Sequence, residues 1–125
     1  MNILHLPLKS KWYDMIESGV KPEEYRDIKP YWVKRFLWDE DYNGPLERKD
    51  AELSAPLLIN AVDACCFTFR HYDFVEFTCG YPKKEDTSRR MTFEVVNIKM
   101  AMGNPEWGAP TDKEVFIIKL GKRVK

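Results

Sequence analysis

Residues 115–118, Val-Phe-Ile-Ile, form an unbroken apolar run inside the segment 114–120. A strand buried on one face alternates apolar with polar side chains, whereas a run without alternation is expected where a strand is covered on both sides. A fold built around such a strand must place material against each face of its sheet, and a chain of 125 residues supports this within one domain, residues 1–125. The neighbouring segments agree with a sheet. Residues 73–79 and 91–100 read as two strands joined by the polar loop 80–90. In the second of these the apolar positions run Met91, Phe93, Val95 and then shift to Val96, Ile98, Met100. A phase switch of one residue is the mark of a β-bulge, which bends a sheet toward closure.

The first half mixes strands with helices. Residues 2–8 read as a strand, and Ser10 is placed to cap a helix whose buried stripe would be Trp12, Met15 and Ile16. Gly19 stands where a left-handed helix end is wanted. Residues 23–28 then form a second strand, and Pro30 opens a helix in which Trp32, Val33, Phe36 and Leu37 share a face. The polar stretch 39–51, broken by Asn43-Gly44-Pro45, reads as a surface connection. From Ser54 and Pro56 onward, Leu57, Leu58, Ala61, Val62, Cys65, Cys66 and Phe69 fall along one helical stripe, which makes both cysteines core residues. Residues 101–113 hold too many glycines and prolines for regular structure. The expected fold is α+β: about five strands, curled, with helices plugging or flanking them.

Composition narrows the function. Lys+Arg and Asp+Glu both number 20, so the formal net charge is zero. That excludes attachment to nucleic acid through bulk positive charge but permits a local basic groove. No apolar stretch is long enough for a membrane span, and the opening residues lack a signal-peptide layout. Cys65, Cys66 and Cys79 are odd in number and contain no CxxC, so neither a disulfide framework nor a zinc site is indicated, and a reduced, cytoplasmic compartment is expected. His5 lies among apolar neighbours and reads as interior; His5 and His71 have no carboxylate at a spacing that suggests a metal site or a catalytic triad. No cofactor is implied.

The chemistry concentrates in Gly19-Val20-Lys21-Pro22-Glu23-Glu24-Tyr25-Arg26. The helix ending at Gly19 puts Lys21 on a turn, and Glu24 and Arg26, two apart on a strand, project from one face. A carboxylate that fixes an arginine fork near a lysine suits an anion such as a phosphate. Elsewhere, Trp107 sits in the breaker-rich loop and Tyr81 follows Gly80 on the facing rim, so both are candidate platforms for base stacking.

Gly19, Lys21, Glu24 and Arg26 match the GxKxxExR signature of the ASCH domain, and the chain resembles that member of the PUA-like superfamily over nearly its whole length. The opening strand 3–8 with Lys9 and the helix ending Ile16-Glu17-Ser18-Gly19 fit the family's lead-in. Lys29-Pro30-Tyr31-Trp32, the Gly80-Tyr81 turn, Gly103-Asn104-Pro105-Glu106-Trp107-Gly108-Ala109-Pro110 and the ending Ile118-Lys119-Leu120-Gly121 are similar to its phage-associated and gut-bacterial branch. The resemblance implies a small PUA-like β-barrel with flanking helices and a cleft for RNA or a nucleotide-like small molecule. Lys21, Glu24 and Arg26 would be its polar floor, with Tyr81 and Trp107 as ligand-binding rims. Some relatives hydrolyse the amide of an acetylated cytidine with a lysine, a threonine and a glutamate. Lys21 has the matching lysine setting, but Glu24 stands where the threonine would be, so the hydroxyl nucleophile is missing. The alternative of a small amidohydrolase of modified nucleosides would therefore rest on Lys21 as base or nucleophile, with Glu24 or Glu94 as its partner.

Overall fold

The computed structural model describes residues 1–80 and 89–125. Tyr81, Lys83 and Lys84 lie outside the described residues.

The main sheet has five strands in the order β1-β6-β7-β8-β2, from β1 (Ile3–Leu8), β2 (Glu23–Arg26), β6 (Phe74–Cys79), β7 (Arg90–Ala101) and β8 (Val115–Arg123). β1 runs parallel to β6, with Ile3 opposite Phe74 and Leu8 opposite Cys79; the other pairs are antiparallel. The inner strand β8, between β7 and β2, carries the apolar run, and Val115, Phe116, Ile117 and Ile118 are all buried. Their two faces feed two clusters. Phe116 and Ile118 join the main core with Leu6, Phe36, Phe77 and Met91, while Val115 and Ile117 pack with Tyr25 and Ala109. The bulge lies where the phase switch puts it, as register shifts between Phe93 and Asn97 on β7. Val96 is left exposed there, and Ile98 returns to the core.

β1 and β2 are opposite edges of this sheet, yet a single side chain spans them: Arg26 Nη2 of β2 donates to the Pro7 carbonyl of β1 at 2.8 Å. The sheet is thus a curled half-barrel, α+β in class. Helices α1 (Ser10–Glu17) and α2 (Pro30–Phe36) follow the two edge strands. Gly19, at φ +84°, ends the first turn region as expected of a residue in the left-handed conformation. Among the described residues, no helix is long and apolar enough to cross a membrane.

Several local expectations give way. The buried positions of α1 are Tyr13 and Ile16, with Trp12 only half-buried, because the helix is rotated so that Trp12 faces the gap between the edge strands. The connection 39–51 is not merely surface. It holds β4 (Gly44–Pro45), which pairs with β3 (Leu37–Asp39), and α3 (Arg48–Ala51), and it buries Leu46 and Ala51. β3 pairs in turn with β5 (Phe67–Phe69), giving a second, three-stranded sheet in the order β4-β3-β5. The helix begun at Ser54, α4 (Ala55–Asp63), stops before the cysteines; Cys65 takes φ +62°, and Cys65 and Cys66 are exposed. The strand from residue 23 ends at Arg26. His5 is not interior either: strand alternation turns its side chain outward, 67% exposed, toward Glu76 of the adjacent β6.

Candidate functional site

Lys21, Glu24 and Arg26 converge. Lys21 and Glu24 are 2% and 3% exposed, a depth at which charged groups persist only when paired. Lys21 Nζ donates to Glu24 Oε1 at 2.7 Å, and Arg26 Nη1 donates to Glu24 Oε2. The carboxylate is shared, one oxygen to each cation, rather than clamped by the arginine alone. Arg26 also donates to the carbonyls of Tyr25 (3.0 Å) and Pro7 (2.8 Å), and these bonds do not exhaust the guanidinium's donors.

Aromatic rings box in both cations. Lys21 Nζ lies 4.5 Å from the Trp12 ring centre and 5.3 Å from that of Tyr25, and the Arg26 guanidinium lies 5.3 Å from Trp32. Such contacts stabilise a desolvated cation by up to about 2 kcal/mol. The breaker-rich loop builds the outer wall of the box. A Cβ at Gly103 would stand 2.8 Å from the Tyr25 ring, and one at Gly108 would stand 2.8 Å from the Trp12 ring, so the backbone approaches both rings as only glycine allows. The Tyr25 hydroxyl donates to Glu23 at 2.6 Å and accepts from the Asn104 amide at 3.0 Å. Burial first, and then the Glu23 carboxylate, push the Tyr25 pKa well above the ordinary tyrosine value.

Beside this triad, between β1, α1 and α2, opens a cleft of about 960 Å³. Glu24 and Arg26 line it; Lys21 does not, being held behind Glu24. Four cationic side chains, Lys9, Arg26, Lys29 and Arg35, meet the one carboxylate of Glu24 among the described lining residues. Trp12, Tyr31, Trp32 and Tyr72 supply ring surface. Trp32 stacks on Phe36 of the core with ring centres 5.5 Å apart, which fixes its plane at the cleft wall. Arg35 lies over the Tyr31 ring, 3.7 Å from its centre, and both line the cleft.

Of the other residues singled out by sequence, Trp107 lies in a single 3-10 turn, Pro105–Trp107, half-buried against the Tyr25, Ala109, Val115 and Ile117 cluster and away from the cleft lining. Tyr81 lies outside the described residues. Glu94 is on β7, exposed, and does not line this cleft. Of the two partners named for Lys21 in the amidohydrolase reading, Glu24 is at hydrogen-bond distance, and the Lys21 amine faces that carboxylate and two rings. Sequence spacing missed Lys9, Lys29, Tyr31 and Arg35 as lining residues, although Lys29-Pro30-Tyr31-Trp32 places a basic residue close to two aromatic ones at a helix start. Among the described residues no group of three or more His, Cys, Asp or Glu side chains is placed to hold a metal ion. No family model matches the chain, and neither does any curated protein or solved structure.

Proposed function

We propose that this chain is a nucleotide- or RNA-binding module of the ASCH kind, with its ligand in the cleft between β1 and α2. The observation that carries the reading is the concentration of Lys9, Arg26, Lys29 and Arg35 around four aromatic side chains, in a chain whose net charge is zero. Phosphate is held by such cations and a base by such rings, and unstacked bases are the usual target of protein recognition of RNA. Arg26 binds phosphate or a base edge, Trp32 or Trp12 offers a stacking face, and Glu24 accepts from the exocyclic amine of a base while holding Arg26 in place. Lys21 acts through Glu24 rather than by touching the ligand. The exposed thiols of Cys65 and Cys66 fit a reducing, cytoplasmic compartment, since an oxidising one would modify them.

Calorimetric titration with the four nucleoside monophosphates and with short single-stranded RNAs tests this. Lys9 and Lys29 are exposed, so a Lys9→Ala/Lys29→Ala double variant keeps the fold. It should lose at least about tenfold in affinity, as removal of charge-assisted hydrogen bonds worth ~1.5–3 kcal/mol implies. An unchanged affinity would remove the cleft from consideration.

A further inference from the structure

A second cleft, of about 700 Å³, adjoins the first, and the two share Ile3 and Tyr72 as lining residues. Tyr72 is fixed at this junction by its hydroxyl, which donates to the Arg35 carbonyl at 2.7 Å. Trp38 and Arg70 line the second cleft, with the guanidinium 5.6 Å from the indole centre. The arrangement repeats what the first cleft holds in Arg26 over Trp32 and Arg35 over Tyr31. Three arginine–aromatic pairs thus follow one another along two joined depressions. Each pair sets a guanidinium within cation–π distance of a ring, and arginine and aromatic side chains are the groups on which a base can stack while a phosphate is neutralised beside it. Each depression alone has the volume of a small-molecule site, so a mononucleotide would leave the second unfilled. Glu40 lines the second cleft too, its Oε1 accepting from the Thr68 hydroxyl at 2.6 Å. A carboxylate there is unsuited to phosphate but accepts from the amino edge of a base.

We infer that the ligand is a single-stranded oligonucleotide rather than a free nucleotide, with a second base-binding subsite at Arg70, Trp38 and Glu40. This rests on the nucleotide reading of the first cleft and extends it. A strand enters beside Lys9 and Arg26, crosses Tyr72, and stacks a further base on Arg70.

The test measures affinity for uridine and adenosine monophosphates and for the matching di-, tetra- and octanucleotides by calorimetry and fluorescence anisotropy. Affinity should rise from mononucleotide to tetranucleotide. Arg70→Ala should remove that gain, at least about fivefold for one lost stacked base, and leave the mononucleotide unchanged. Arg70→Lys keeps the charge without the plane and should retain only part of the gain, and unchanged mononucleotide binding by both variants shows that each is folded. Mononucleotides that bind as tightly as octanucleotides, or an Arg70→Ala variant that keeps the full gain, would overturn the second subsite while leaving the first cleft standing. Absence of binding by every probe would overturn both.

Discussion

Glu24 is the residue on which the site depends, because its two oxygens serve two cations at once. Glu24→Ala would leave Lys21, 2% exposed, without a carboxylate. Removing one partner of a buried pair costs about 3–5 kcal/mol, and that loss should appear as a lower urea midpoint with little change of slope. Lys21→Met should cost less, since Glu24 keeps Arg26 and the methionine chain can fill the space between Trp12 and Tyr25. The reverse order of stabilities would mean that the lysine, not the carboxylate, organises the cluster. Much of this was legible in the sequence. Alternation along a strand puts Glu24 and Arg26 on one face, and the turn after Gly19 brings Lys21 to them. The rings were not. Trp12 fits a helical stripe with Met15 and Ile16 as well as Tyr13 fits one with Ile16, and one residue of rotation decides which ring is core and which lines a cleft. Tertiary contacts distinguish the two: Tyr13 is buried in the core, while Trp12 meets Lys21 and the Gly108 backbone.

At the scale of elements, long periodic segments were readable and short ones were not. The phase switch in β7 located its bulge, and the unbroken run in β8 located the strand buried on both faces. The sheet β4-β3-β5 left no such trace, because strands of two and three residues carry no period. The end of α4 is masked in the sequence for a related reason. Apolar spacing continues through Cys65 and Cys66 to Phe69, but the helix closes at Asp63 and Cys65 adopts φ +62° without the glycine that marks such an ending. A left-handed conformation costs an L-residue about 1–2 kcal/mol, and glycine avoids most of that cost. Cys65→Gly should therefore stabilise the protein by up to about 1 kcal/mol, whereas Cys65→Ala should bring no gain, both read by urea denaturation. A glycine variant less stable than the alanine one would mean that the turn is held by the thiol rather than strained by the backbone.

For the molecule as a whole, the curl of the sheet and the cleft are one feature. An open sheet leaves two edges with unpaired backbone groups. Here the edges approach each other, and Arg26 joins them by donating to Pro7 of β1 while bonded to Glu24 and the Tyr25 carbonyl on β2. The cleft proposed to take the ligand is lined by Arg26 and by both edge strands. Arg26→Lys preserves the charge but not the planar fork, so it cannot hold both edges at once. Its effect should be local. Hydrogen exchange followed by mass spectrometry should show faster exchange across β1 and β2, whereas amides in the β7–β8 ladder, paired from Phe93 to Ala101, should exchange as before. Acceleration spread evenly over the sheet would instead mark global destabilisation, and unchanged exchange at both edges would show that packing alone closes the half-barrel. If the proposed nucleotide binds in the cleft, it would touch both sides of the seam, and it should slow exchange at β1 and β2 in the wild-type chain and restore part of that protection in Arg26→Lys. Protection that fell on β7 and β8 instead would place the ligand on the far side of the sheet.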